Sequence, residues 1–273
     1  MRILCVGDVV GRVGRKVLSA LLPRLRRELA LDFVIVNGEN AAGGLGITPQ
    51  AAQEIFDAGA DCITTGNHVW RHKELISYMA SEGRILRPAN YPPGTVGSGW
   101  VILRSSMQGQ TPVGVVCLLG LTFMEPLDCP FRTIDRILHD LRSQVTIIIV
   151  DFHAEATSEK QAFARYVDGR VTAVVGTHTH VMTADECILP AGTAYITDVG
   201  MTGPLNSIIG MKVETVIQRF VTRMPMRFEA AKGEGMLSAL FIEADERTGH
   251  ATHVERIVRR DATMTGENAQ RTG

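Results

Sequence analysis

The 273-residue chain lacks a thiol framework, an excess of charge of either sign and any apolar run approaching the ~20 residues a membrane helix needs. Its cysteines, Cys5, Cys62, Cys117, Cys129 and Cys187, contain no CxxC pair and are odd in number. That excludes a disulfide scaffold and points to buried free thiols in a reducing compartment. No basic-then-apolar leader precedes the first strand-like run, so a cytoplasmic chain is expected. A formal net charge of −1 and 5% aromatic residues leave no basic, aromatic patch for an extended nucleic acid. A small anionic substrate stays open, because metal ions can supply local positive charge. Hydrophobic content of 45% with 21% charged residues is that of an ordinary globular core.

What the chain does have is a series of apolar, strand-like runs that end in polar residues. Arg2–Asp8, Phe33–Asn40, Cys62–His68, Thr146–His153 and Val171–His180 close on Asp8, Glu39 with Asn40, Asn67 with His68, His153, and His178 with His180. Ligands of open α/β sheets bind outside the carboxyl ends of the strands. This pattern predicts hard oxygen and nitrogen donors gathered on one edge of one sheet.

Helical patterns alternate with these runs. Val17, Leu18, Leu21, Leu22 and Leu25 recur at helical spacing, and Thr48-Pro49 resembles an N-cap with proline at the first helical position. Further helices are expected over 73–79, 134–141 and 160–166. The middle of the chain changes character, with Trp100–Leu103 and Val113–Leu121 flanking a turn at Gln108-Gly109-Gln110 as an antiparallel pair. Gly192–Asp198, Met236–Ala244 and Ala251–Val258 are strand-like. No repeat or linker divides the chain, so residues 1–260 are expected to form one α/β domain and 261–273 a disordered tail.

Taken singly, each polar residue has a bland reading, since an Asp or Asn after a strand is often a turn former. Jointly they do not. Asp8, Glu39, Asn40, Asn67, His153, His178 and His180 outnumber the coordination sphere of one ion, whereas two ions sharing a carboxylate would use them. Carboxylate, amide and imidazole without thiolate suit iron, manganese or zinc. In an extended segment residues i and i+2 share a face, so His178 and His180 are expected to address one cluster. Gly7, Gly38, Gly66 and Gly176 precede the candidates, where a small residue lets the backbone turn sharply. Gly43-Gly44-Leu45-Gly46 lacks the Lys-Ser/Thr of a P-loop and is expected to be a flexible loop near the site.

In this order, Asp8, Asn37-Gly38-Glu39-Asn40, Gly66-Asn67-His68, His153 and His178-Thr179-His180 resemble the calcineurin-like metallophosphoesterases. A closer resemblance, over nearly the whole chain, is to the bacterial 2′,3′-cyclic-nucleotide 2′-phosphodiesterase subfamily. It includes Asp151-Phe152-His153-Ala154-Glu155 and Thr197-Asp198-Val199-Gly200-Met201-Thr202-Gly203-Pro204. Val10 replaces the histidine of the wider family's Asp-x-His opening, Glu39 replaces its bridging aspartate, and Val69 stands where an acid usually follows His68. The subfamily shares these departures.

The resemblance implies an α/β fold of the two-sheet αββα sandwich type and two divalent or mixed-valence ions, iron first. One ion would be held by Asp8, Glu39, Asn40 and His180, the other by Glu39, Asn67, His153 and His178. The implied chemistry is hydrolysis of a small phosphoester, a 2′,3′-cyclic nucleotide above all, by a metal-bridging hydroxide. His68 is assigned as the general acid for the leaving ribose oxygen; the alternative is a hydrogen bonder that orients Asn67. A phosphomonoesterase or protein phosphatase on the same site, or a non-catalytic metal-stabilised module, are the competing functions. A homo-oligomer is compatible with the sequence, and no membrane partner is expected.

Overall fold

Strand and helix periods alternate along the sequence. In the computed structural model, which describes residues 1–104 and 111–261, they fold into two facing sheets with helices on both outer sides. The first half of the chain gives β1 (Arg2–Val6), β2 (Asp8–Val9), α1 (Gly11–Glu28), β3 (Phe33–Asn37), α2 (Pro49–Asp57), β4 (Cys62–Thr64), α3 (Lys73–Met79) and β5 (Ile85–Leu86). The middle gives β6 (Trp100–Arg104), β7 (Pro112–Leu119), α4 (Pro130–Leu141), β8 (Ile147–His153), α5 (Thr157–Tyr166) and β9 (Ala173–Thr177). The remainder gives β10 (Cys187–Ile188), β11 (Ala194–Ile196), β12 (Met201–Pro204), α6 (Val213–Thr222), β13 (Gly235–Ala244) and β14 (Ala251–Asp261).

The first sheet has the order β2-β12-β13-β1-β3-β4-β5, with β14 also on β13. The second has the order β10-β11-β9-β8-β7-β6. The strand-end residues therefore come from two sheets and not from one. β1, β3 and β4 lie parallel in the first, while β7, β8 and β9 lie parallel in the second. The central strands of both sheets are buried on both faces, one against the other sheet and one against helices. Ile3 and Cys5 of β1, and Phe33 and Ile35 of β3, pack into the layer between the sheets with Ile147 and Ile149 of β8. Their neighbours Leu4, Val6, Val34 and Val36 pack outward against α1 and α2. On the far side Ile148, Val150 and Phe152 meet α4 and α5. This is the two-sided burial that period-2 alternation produces.

Local signals act as expected. Thr48 Oγ1 accepts a hydrogen bond from Ala51 N at 3.2 Å, with Pro49 opening α2. β6 and β7 pair antiparallel, and their expected turn at 108–110 lies outside the described residues. The first apolar run breaks at Gly7, so Asp8 starts β2, which runs parallel to β12. β14 extends to Asp261, the first residue of the expected tail, which is buried opposite Gly235; residues 262–273 of that tail lie outside the described residues. Among the described residues no helix is long and apolar enough to cross a membrane. Cys5, Cys62 and Cys117 are buried free thiols, and Cys129 and Cys187 are exposed free thiols.

Candidate metal centre

Strand register builds the site. β7, β8 and β9 align Leu119, His153 and Thr177 in adjacent positions, so His178 leaves the sheet directly beside His153. Glu39 and Asn40 follow β3, and Asn67 follows β4, on the neighbouring edge of the other sheet. Asp8, Glu39, Asn40 and His153 are all essentially inaccessible to solvent.

The expected residues come together in two linked groups. His153 Nε2 lies 3.1 Å from Asn67 Oδ1, 3.2 Å from Glu39 Oε1 and 3.0 Å from His178 Nδ1. One ligand atom each from Glu39, His153 and His178 falls within 4.8 Å of the others. Asn40 then links Glu39 to the second group, with its Nδ2 3.0 Å from Glu39 Oε1 and 3.1 Å from His180 Nε2. His180 Nε2 stands 3.8 Å from Asp8 Oδ1. His68 is placed on Asn40 rather than Asn67, with Nδ1 2.9 Å from Asn40 Oδ1 and 3.2 Å from Glu39 Oε1.

The far nitrogen of each of the three imidazoles is engaged, and that fixes what faces inward. Thr177 Oγ1 donates to Asp151 Oδ1 at 2.7 Å, so it accepts from His153 Nδ1 at 2.9 Å. His178 Nε2 lies 3.0 Å from the Glu155 carboxylate oxygen Oε2, and His180 Nδ1 donates to the carbonyl of Ile209 at 2.8 Å. When neutral, each ring therefore turns a lone pair toward the cluster, the tautomer that metal-binding histidines take. With the rings neutral, carboxylate, amide and imidazole acceptors then face one another, and Asn40 Nδ2 is the side-chain donor set among them. Asp8 Oδ1 is buried without a hydrogen-bond partner among the described residues. A buried acceptor cluster of this kind demands a cation, and the donor set suits a hard or borderline divalent metal.

Protonation in the metal-free chain says the same. Burial pushes the pKa of His153 down, but the Glu39 and Asp8 carboxylates outweigh it and bring it up to about 9. Burial works against ionised Glu39, yet His153 and His68 hold its carboxyl well below the usual range. Burial and then the charge on His153 drive His178 down to about 3. Burial raises Asp8 to about 6, against the pull of His180 and His153. One proton on His153 thus does part of a cation's work.

Two features of the backbone differ from expectation. His178 and His180 have φ of 105° and 65°, so they converge through a kinked loop and not through extended alternation. Such φ values cost a non-glycine residue about 1–3 kcal/mol and persist only where the surroundings impose them. Here Asp198 does so. Its Oδ2 accepts from Thr179 N at 2.9 Å and from Lys160 Nζ at 2.8 Å, and its Oδ1 accepts from Gly200 N at 2.9 Å. Lys160 and Asp198 are both fully buried. Gly66, for its part, does not turn at a positive φ. It is glycine because a Cβ there would collide with Glu39 Oε2 and His153 Nε2.

The supporting residues Thr177, Asp151, Glu155, Lys160, Asp198 and Ile209 were not assigned roles from sequence. Asp151, Glu155 and Asp198 stand in motif segments that carried the family resemblance, which was their one visible signal. Asp151 also accepts from Asn37 Nδ2 at 3.0 Å and from the Thr64 hydroxyl, tying the two sheets together beneath the site.

Two facing sheets sheathed in helices, with this carboxylate–imidazole cluster on their shared edge, define a protein of the metallophosphoesterase fold class. Residues 4–257 match the YmdB-like protein family, and the chain belongs to it. It is 47% identical over 264 residues, 97% of this chain and 99% of the relative, to the 2′,3′-cyclic-nucleotide 2′-phosphodiesterase of Bacillus subtilis. Among solved structures, a hypothetical protein from Thermus thermophilus superposes with a TM-score of 0.90 at 43% identity, covering 96% of this chain and 100% of that one. A protein from Mycoplasma pneumoniae described as a novel phosphatase gives 0.89 at 34% identity, covering 95% and 93%.

Proposed function

We propose that this chain, through one catalytic domain spanning residues 1–260, hydrolyses 2′,3′-cyclic nucleotides at the 2′ ester with two divalent metal ions. The observation that carries the reading is the inward set of imidazole lone pairs around buried Glu39 and Asp8. The activity named for the Bacillus subtilis relative supplies the substrate class. In this reading Asp8, Glu39, Asn40 and His180 would hold one ion and Glu39, Asn67, His153 and His178 the other, with Glu39 shared. Oxygen and nitrogen donors without thiolate suit iron, manganese or zinc, and the family resemblance puts iron first. When bound, the ions would supply positive charge to the phosphoryl oxygens and acidify water enough to make a nucleophile near neutral pH.

The chain's own residues do the rest. Glu155, Thr177 and the Ile209 carbonyl hold the imidazoles in position. Asn40 presents its nitrogen to Glu39 and His180 and its oxygen to His68. The two ends of an amide are isosteric, so rotation by 180° would offer the oxygen to an ion. As the imidazolium, His68 directs Nδ1–H to Glu39 Oε1, 3.2 Å away, and has its transferable proton on Nε2, which has no partner among the described residues. The His68 side chain is 32% exposed and open to substrate. A ribose O2′ leaves as an alkoxide unless protonated, and we assign that protonation to His68. Free cysteines match a reducing compartment, and we assign the chain to the cytoplasm.

Elemental analysis of purified protein, paired with a panel of phosphomonoesters and diesters, tests this reading. Two ions per chain and conversion of adenosine 2′,3′-cyclic phosphate to adenosine 3′-phosphate are expected. Turnover of monoesters alone would select a phosphomonoesterase. Loaded protein inert toward every ester would make the centre structural.

A further inference from the structure

Three residues beyond Asn40, Gly43 lies on the wall of a second cavity of about 490 Å³. Its other walls carry Arg12 and Lys16 from α1, and Arg227, Phe228 and Lys232 from the strap that follows α6. Arg12, Arg227 and Lys232 are exposed and make no ion pair or hydrogen bond among the described residues. The one acid on the wall, Glu229, is already ion-paired with Lys212 and also feels Arg227 and Lys232. The cavity is therefore net cationic in a chain whose overall charge is −1. Phe228 stands among these cations with 43% of its surface exposed.

The cavity is tied to the metal centre by backbone hydrogen bonds. Gly11 N donates to the carbonyl of Asn40 at 2.9 Å, and Gly11 leads directly into Arg12. Ala231 N donates to Gly210 O at 2.8 Å and Lys212 N to Glu229 O at 3.0 Å. The same 209–212 loop provides the carbonyl that orients His180.

A nucleoside 2′,3′-cyclic phosphate has a single phosphate, which the metal centre would engage, and nothing in it calls for a second cationic cavity. An RNA fragment ending in a 2′,3′-cyclic phosphate has a further phosphodiester on O5′ of its last nucleotide and another base beyond it. Cations for the phosphate and an exposed aromatic ring for the base are how proteins hold single-stranded nucleotides. The cavity has the size of a small-ligand site, in the range of about 300–1,000 Å³, which is room for one nucleotide and not for a strand. We propose that this cavity binds the penultimate nucleotide of short RNA fragments with a 2′,3′-cyclic end, its phosphate between Arg227, Lys232 and Arg12 and its base on Phe228. The proposal rests on the phosphodiesterase reading of the metal centre.

The test compares metal-loaded wild type, the Arg227→Ala/Lys232→Ala double variant and Phe228→Ala. The substrates are adenosine 2′,3′-cyclic phosphate and the dinucleotide ApA with a 2′,3′-cyclic end. Wild type is expected to favour the dinucleotide in kcat/KM through a lower KM, by about 10–100-fold, the worth of one charge-assisted contact. The double variant should lose that preference while its rate on the mononucleotide is unchanged, and Phe228→Ala should lose part of it. Equilibrium binding of ApA 3′-phosphate against adenosine 3′-phosphate, by calorimetry, reads the same preference without turnover. Equal kcat/KM for the two substrates in wild type, or equal binding of the two products, overturns the subsite even if the cyclic esters are hydrolysed. A preference that survives in the double variant overturns it as well. Loaded protein that hydrolyses neither substrate defeats the phosphodiesterase reading, and the binding comparison then decides the subsite by itself.

Discussion

Around His153 the donor atoms interlock, with Asn67, Glu39 and His178 all 3.0–3.2 Å from one nitrogen. Around Asp8 they stand apart, since His180 Nε2 is 3.8 Å away and Asp8 Oδ1 has no hydrogen-bond partner among the described residues. The difference follows from what supports each half. His153 and Thr177 are adjacent residues of paired central strands, braced by Asp151. His180 instead depends on the carbonyl of Ile209, an exposed residue at φ 47° in a loop before α6. α6 itself buries only Val216 and leaves Ile217, Phe220 and Val221 exposed. A rigid sheet edge thus prebuilds one half, and a lightly packed segment completes the other. We expect the His153 half to load its ion more tightly, so that titration of metal-free protein proceeds in two steps.

The sharpest way to break this comparison is to remove what both halves share. Glu39→Ala should lose both ions in elemental analysis and all measurable hydrolysis; one ion retained at full occupancy would show that Glu39 serves one half. The halves separate with His178→Ala and His180→Ala, each expected to leave one ion per chain and an activity loss of several orders of magnitude. The tighter step of the titration should vanish in His178→Ala and the weaker in His180→Ala. Either variant with two ions and a near-wild-type rate refutes the assignment.

His68→Ala should keep both ions yet lose about 10²–10⁴-fold on a cyclic nucleotide, the usual range for general acid catalysis. On a nitrophenyl phosphodiester, whose leaving group departs without a proton, the loss should be far smaller. Equal losses on the two substrates would make His68 an orienting residue for Asn40. The loop that brings His178 and His180 inward depends on the buried Lys160–Asp198 pair. Lys160→Met strands a buried carboxylate, and urea denaturation should show a loss of about 3–5 kcal/mol, the cost of breaking such a pair. Adding Asp198→Asn should recover part of it; a loss within error of zero for Lys160→Met would exclude the pair as a brace. The smallest effect is expected from Glu155→Gln, which removes the carboxylate charge 3.0 Å from His178 Nε2. Metal affinity at the tighter step should fall about 10–100-fold, as for other partners of metal-binding histidines, while the weaker step stays in place.

Much of this arrangement was legible before any coordinates. Long apolar runs with polar ends located β1, β3, β4, β8 and β9, because a strand buried on both faces leaves an uninterrupted hydrophobic signature. Short elements were not legible: β5, β10 and β12 have two to four residues, too few to display a period. α6 combines helical spacing with β-branched Val, Ile and Thr, so pattern and propensity point in different directions. The candidate ligands were visible because they close apolar runs, singly or in pairs, but their supports were not. Lys160 is an ordinary lysine in a helix until Asp198, 38 residues on, is folded against it.

Sequence by itself determined which residues meet, since strand alternation and the order of polar run-ends bring Asp8, Glu39, Asn40, Asn67, His153, His178 and His180 to strand ends. Tertiary structure alone decided how they meet. Division of the strands between two sheets, the positive φ of His178 and His180, and the inward lone pairs set by Thr177, Glu155 and Ile209 arise from contacts between segments distant in the chain. Local periodicity encodes burial, a property of single residues and their near neighbours. The direction of a proton or a lone pair is fixed by a partner that only folding supplies.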